Sequence, residues 1–148
     1  MLVRDLMQRK VVEVREDLPI TEVCDIFQQA RVHGAPVVDA GGRLVGFVSQ
    51  EDLLFGSMSR PATTQGARGR RASSAGRKPR PRNPIPIVRE VMTSPPVSAT
   101  EDTEVVDLCR MMWRLRIHHV PIVRDGRVTG IVSALDLCRA ISQGEIRA

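Results

Sequence analysis

With 148 residues, 42% hydrophobic and 26% charged, the chain has the make-up of one globular domain, or of two small ones sharing a core. No apolar run approaches the ~20 residues of a bilayer span, and Met1-Leu2-Val3-Arg4-Asp5 lacks the basic and apolar regions of a secretory signal. The net charge of +5 is local: residues 57–84 hold eight of the 22 cations and no acid, so the remaining 14 cations face 17 acids and carry −3.

Taken in order, the chain repeats itself. Val3-Arg4-Asp5-Leu6-Met7 recurs as Val88-Arg89-Glu90-Val91-Met92 at an offset of 85, and each is expected to be a short amphipathic turn leading into its own copy. Val11 to Val14 is predicted as a brief strand from its β-branched content. Asp17 is the expected N-cap of a helix with Pro19 in its first turn. The apolar stripe Ile20, Val23, Cys24, Phe27 then follows at i, i+3, i+4 and i+7. Asp102 and the stripe Val105, Leu108, Cys109, Met112 repeat that pattern.

Next come two strands in each copy. His33-Gly34-Ala35-Pro36-Val37-Val38 matches His118-His119-Val120-Pro121-Ile122-Val123, and Leu44 to Val48 has its counterpart before Ser133. The second pair is joined by Asp125-Gly126, a strong two-residue hairpin signal. Ser49 and Ser133 open short helices over 52–55 and 136–141. A repeat of this length decides the fold before any single element does. Each unit of roughly 55 residues is too small to be comfortably stable alone, so the copies are expected to share a core. Between them, residues 57–84 are rich in Arg, Gly, Pro and Ser. So few large apolar side chains cannot offset the entropy of ordering, and a flexible linker is expected.

Cys24, Cys109 and Cys138 are an odd number without CxxC spacing. Cys24 and Cys109, at equivalent positions, are expected to be buried as small hydrophobes, in a reducing cytoplasm. Three histidines without ligand spacing do not suggest a metal site. No P-loop, HExxH or activated-nucleophile motif is present, and Ser49 and Ser133 lack a recognisable base, so no enzyme is expected.

The candidate binding residues are Asp52 and Asp136. A carboxylate in the first turn of a helix can accept two hydrogen bonds from a vicinal diol, and charge-assisted bonds are the stronger kind. The helix N-terminus beside it favours an anionic group such as a phosphate. The same Ser-x-x-Asp pattern is also a capping box that does no more than stabilise its helix.

Two strand–helix–strand–strand–helix units, each ending Gly-hydrophobic-Val-Ser-x-x-Asp (Gly46 to Asp52 and Gly130 to Asp136), resemble a pair of cystathionine-β-synthase-type (CBS) domains. This pseudo-twofold tandem is called a Bateman module. The resemblance implies an α/β (α+β) fold with a first repeat at 1–56, the basic linker at 57–84 and a second repeat at 85–148. It also implies a cleft between the copies that binds adenosine-containing ligands, namely AMP, ADP, ATP or S-adenosylmethionine, with no obligatory cofactor. By that resemblance Asp52 and Asp136, following Ser49 and Ser133, hold ribose hydroxyls. Val12, Val14, Ala35 and Val37, with Val97, Val120 and Ile122, wall the adenine pocket, although plain sheet core explains most of them equally. Thr100 is the hydroxyl-bearing contact, opposite Arg15 in the first copy, and His119 of His118-His119-Val120-Pro121 reaches toward phosphate. The weight falls on the second-copy site for phosphorylated ligands.

The resemblance further implies a homodimer formed through helices. Trp113, one turn beyond Cys109, is expected with Met111 at a dimer contact or equally in the core, and with no output domain in the sequence the target is expected on another chain. The rival partner is nucleic acid or another anionic surface bound by the Arg-rich segment through phosphate neutralisation. The acidic remainder of the chain and the lack of an aromatic base platform weigh against it. A third reading is a structural pair with no ligand.

Overall fold

In the computed structural model, which describes residues 1–58 and 84–146, the duplicated sequence gives two matching units. The first comprises β1 (Val14–Arg15), α1 (Ile20–Ala30), β2 (Gly34–Val38), β3 (Leu44–Ser49) and α2 (Gln50–Met58). The second comprises α4 (Val105–Leu115), β4 (His119–Arg124), β5 (Arg127–Ser133) and α5 (Ala134–Ser142). The two related lead-ins form a 3-10 turn at Val3–Asp5 and a short helix, α3 (Val88–Val91). The expected linker lies almost wholly outside the described residues, although Ser57 and Met58 belong to the end of α2.

β2 runs antiparallel to β3, with Ala35 opposite Val48, and β4 antiparallel to β5, with Val120 opposite Val132. β1 joins β2 in parallel through Val14 and Val37, and a single parallel bridge from Ala99 to Ile122 stands in its place in the second copy. The strand expected over 11–14 is therefore displaced: pairing begins only at Val14, and β-branched residues without a partner edge do not make a ladder. Asp125 and Gly126 both take positive φ, 52° and 77°, as a hairpin turn with the strands' own twist demands.

The helical stripes bury Ile20, Val23 and Phe27 in α1, and Val105, Leu108 and Met112 in α4. The cysteines depart from expectation, since Cys24 is exposed and Cys109 only half-buried. So do the caps. α1 starts after Pro19 and α4 after Glu104, with no side-chain cap on either. Asp17 instead pairs with Arg15 at 3.5 Å, and Asp102 with Arg4 at 2.7 Å. The reason is that the first amides are already taken: Ile20 donates to the Pro86 carbonyl at 2.9 Å and Val105 to the Met1 carbonyl at 3.0 Å.

Those bonds expose the main departure from the sequence reading. Each lead-in packs on the other copy, not on its own. Val3 donates to the Thr103 carbonyl and Val88 to the Leu18 carbonyl, both at 2.9 Å. Gln8 exchanges backbone bonds with Ile131 of β5, and Thr93 with Phe47 of β3. Val3, Leu6 and Met7 are buried among Val105, Leu108, Val120 and Ile122. Val88 is buried among Val14, Ile20, Val37 and Val48. Sequence periodicity makes the lead-ins amphipathic but does not say which core they cover.

Two glycines permit this crossing. A Cβ on Gly46 would stand 2.5 Å from Met92 Sδ and 3.0 Å from the Thr93 carbonyl oxygen; one on Gly130 would stand 2.5 Å from Met7 Sδ and 3.2 Å from the Gln8 carbonyl oxygen. The hairpin tips also meet, through the Leu44 amide and the Gly126 carbonyl at 3.0 Å. The copies therefore share backbone as well as apolar surface.

Candidate functional site

The reciprocal crossing creates a cleft between the copies. On one side of it lies a cavity of about 420 Å³, within the size range of small-molecule sites. From the first copy it takes His33, Phe47, Ser49, Gln50, Glu51 and Asp52; from the second, Thr93, Pro96, Val97 and the run Arg116 to His119. A more apolar groove of about 580 Å³ between α1 and α2 meets it at His33 and Gln50. The smaller cavity carries the convergent polar groups, and only those can orient a polar ligand.

Asp52 is held by its own helix. The Ser49 amide donates to Asp52 Oδ2 at 2.9 Å, and the Asp52 amide donates to Ser49 Oγ at 3.1 Å. Among the described residues no group donates to Oδ1, and Asp52 lines the cavity. The imidazole of His119 stacks on Phe47, with centroids 5.8 Å apart and planes 22° from parallel. His33 Nδ1 lies 3.0 Å from Gln50 Oε1. All three histidines of the chain border this one cavity. Burial chiefly, and then the charges of His118 and His33, lower the His119 pKa against the pull of Asp136.

Asp136 differs. Its Oδ2 accepts from the Ser133 amide at 2.8 Å and from the Ser133 hydroxyl at 2.7 Å, while its Oδ1 accepts from Gln8 Nε2 at 3.0 Å. Burial opposes its ionisation, but the bonds from Ser133 and Gln8 win and hold the carboxyl below its ordinary value. Both aspartates thus close capping boxes, but only Asp136 has each carboxylate oxygen occupied.

The other expected positions divide plainly. Val97 and His119 line the cavity with Ser49 and Asp52. Val14, Ala35, Val37, Val120 and Ile122 are buried in the two cores, and Val12 is half-buried outside any strand. Thr100 is exposed, with its hydroxyl 3.2 Å from that of Thr103. Ser133 and Asp136 do not border the cavity that Asp52 enters. Sequence reading missed Phe47, Thr93, Pro96 and Arg116. Thr93 follows the second lead-in directly, but without the crossing nothing marks it as a neighbour of Asp52. Trp113, expected at a contact or in the core, is 72% exposed, with the Arg116 guanidinium 5.0 Å from its ring.

Among the described residues no helix is long and apolar enough to cross a membrane, and no group of His, Cys, Asp and Glu has the arrangement of a metal site.

Comparison with known proteins agrees with this architecture. The family model for the CBS domain matches residues 3–58 and 88–143. Among curated relatives, the uncharacterized protein MJ1225 of Methanocaldococcus jannaschii is 21% identical over 94% of this chain, which spans 42% of that relative's length. Among solved structures, the CBS domain pair of protein MJ0100, in complex with 5′-methylthioadenosine and S-adenosyl-L-methionine, superposes with a TM-score of 0.76. It is 24% identical and covers 97% of this chain and 98% of its own. CBSX2 in complex with AMP gives a TM-score of 0.74 at 23% identity, over 98% of each chain.

Proposed function

The chain belongs to the CBS domain family, in two copies, and from that premise we propose that it is a regulatory module sensing an adenosine-containing ligand in its inter-copy cleft. The observation that carries this is the Asp52 carboxylate, which lines the cavity, pinned through Oδ2 by Ser49 and with no donor to Oδ1 among the described residues. One carboxylate so held can accept both hydroxyls of a ribose. Val97, Pro96 and Ile117 supply apolar wall for a base, and the Phe47–His119 pair an aromatic face. His33, His118 and Arg116 stand where a phosphate would gain charge-assisted bonds. This rim favours an adenine nucleotide over the sulfonium cation of S-adenosylmethionine, although both ligand types occur among the solved relatives.

The role is regulatory, not catalytic. Binding would shift the balance between arrangements of the two copies by the difference in affinity for each, and a target on another chain would read the result. The apolar residues left exposed on α2, α4 and α5, among them Phe55, Trp113 and Leu135, support assembly as a homodimer through helices. A cytoplasmic setting suits three cysteines that are all unpaired.

Calorimetric titration with AMP, ADP, ATP and S-adenosylmethionine tests the reading. At least one should bind, and Asp52→Ala should weaken it about ten- to a hundredfold, the scale of lost hydrogen bonds to a charged group. Equal affinity in wild type and variant would remove Asp52 from the site.

A further inference from the structure

The two capping-box aspartates are not equally available, and the reason lies in the N-terminal lead-in. Gln8 and Thr93 are equivalent residues at the repeat offset of 85. Each crosses to the other copy and exchanges backbone bonds with a strand residue, Gln8 with Ile131 and Thr93 with Phe47. Each therefore arrives beside that copy's aspartate. There the equivalence ends. Gln8 is long enough to donate from Nε2 to Asp136 Oδ1 at 3.0 Å. Thr93, shorter by two atoms, borders the cavity beside Asp52, and among the described residues it makes no hydrogen bond to that carboxylate. The Ser133 hydroxyl also turns onto Asp136 Oδ2, whereas the Ser49 hydroxyl only accepts from the Asp52 amide.

We propose that Gln8 is a latch on the second aspartate: by occupying Asp136 Oδ1 it competes with a ligand diol, so the chain fills its Asp52 site first and its Asp136 site only weakly. The inference rests on the adenosine-binding reading above and adds to it which site works and what disables the other. A vicinal diol must displace the Gln8 amide before it can chelate Asp136, and it meets no such competitor at Asp52. The latch is a side chain on a segment whose backbone is tied down independently, so its removal leaves the crossing intact.

Equilibrium dialysis with labelled AMP, and in parallel with labelled S-adenosylmethionine, tests this in the full chain. Wild type should bind one equivalent tightly and a second at least about tenfold more weakly, the lower end of the range for a hydrogen bond to a charged acceptor because this one is exposed. Gln8→Thr, which installs the residue of the open site, should tighten the second equivalent about tenfold and leave the first unchanged. In the Asp52→Ala background, binding should be weak with Gln8 present and recover in the Gln8→Thr double variant. Two equivalent sites in wild type, or a second site indifferent to Gln8→Thr, would overturn the latch while leaving the proposed function standing. No binding of either ligand to any variant would sink both together. A ligand-independent readout separates fold from latch: the carboxyl titration of Asp136 by NMR should move up in Gln8→Thr, and an unmoved value would show that Gln8 does not engage it in solution.

Discussion

His119 is pressed toward its neutral form first by burial and then by the other two histidines, with only Asp136 pulling the other way. Its folded pKa therefore lies below the ordinary 6.5. As pH falls, the unfolded chain takes up the proton first. Stability is complete above 6.5 and declines as pH drops below that value toward the folded one. The melting temperature of the free protein should fall between pH 7 and 5, with a shallower slope in His119→Gln, whatever that substitution does to the absolute value. Parallel slopes would mean that the imidazole titrates as it does in water. A bound phosphate would reverse the preference by stabilising the charged ring. At this scale the sequence showed both aspartates, because Ser-x-x-Asp is local. Which one is free was not legible, because a glutamine 128 residues away decides it.

At the scale of elements, the hairpins and main helices follow from local chemistry. Asp125-Gly126 accepts the positive φ its turn requires, and the apolar stripes of α1 and α4 find their cores. The caps and lead-ins were not legible for a shared physical reason: the groups that complete them belong to the other copy, and helical period cannot name a distant partner. Gly46 and Gly130 report on that partnership. Gly46→Ala would drive a methyl against the Thr93 carbonyl as well as the Met92 thioether, and the cost should be about 1–3 kcal/mol, as for overpacked cores. Gly130→Ala, with slightly more room at the Gln8 carbonyl, should cost less. Urea unfolding midpoints would show the ranking. Unchanged midpoints in both variants would mean that the crossing segments lift away from the strands without penalty.

At the scale of the whole molecule, helices of both copies carry large apolar side chains in water. Leu135 is 78% exposed, Phe55 60% and Ile141 58%. These side chains give helices of both copies apolar area that a partner could cover. A twofold dimer would cover the same patch on each partner. Sedimentation should give a mass of two chains, and Leu135→Glu should shift it toward one while leaving the melting transition cooperative. A wild-type protein that sediments as a monomer at micromolar concentration would dismiss the dimer.

The crossing of the lead-ins also sets an order in time. During synthesis the first copy exists as sequence long before it can exist as structure. Val88, which seals its core, is made after every strand and helix it covers, and the Ile20 amide has no acceptor until Pro86 has emerged. The N-terminus waits longer still, since Val3 finds its partner only at Thr103. Residues 3–7 are thus made before the first copy yet reach their native contacts after it, and the nascent chain must carry an unsealed first core until residues 86–88 have emerged.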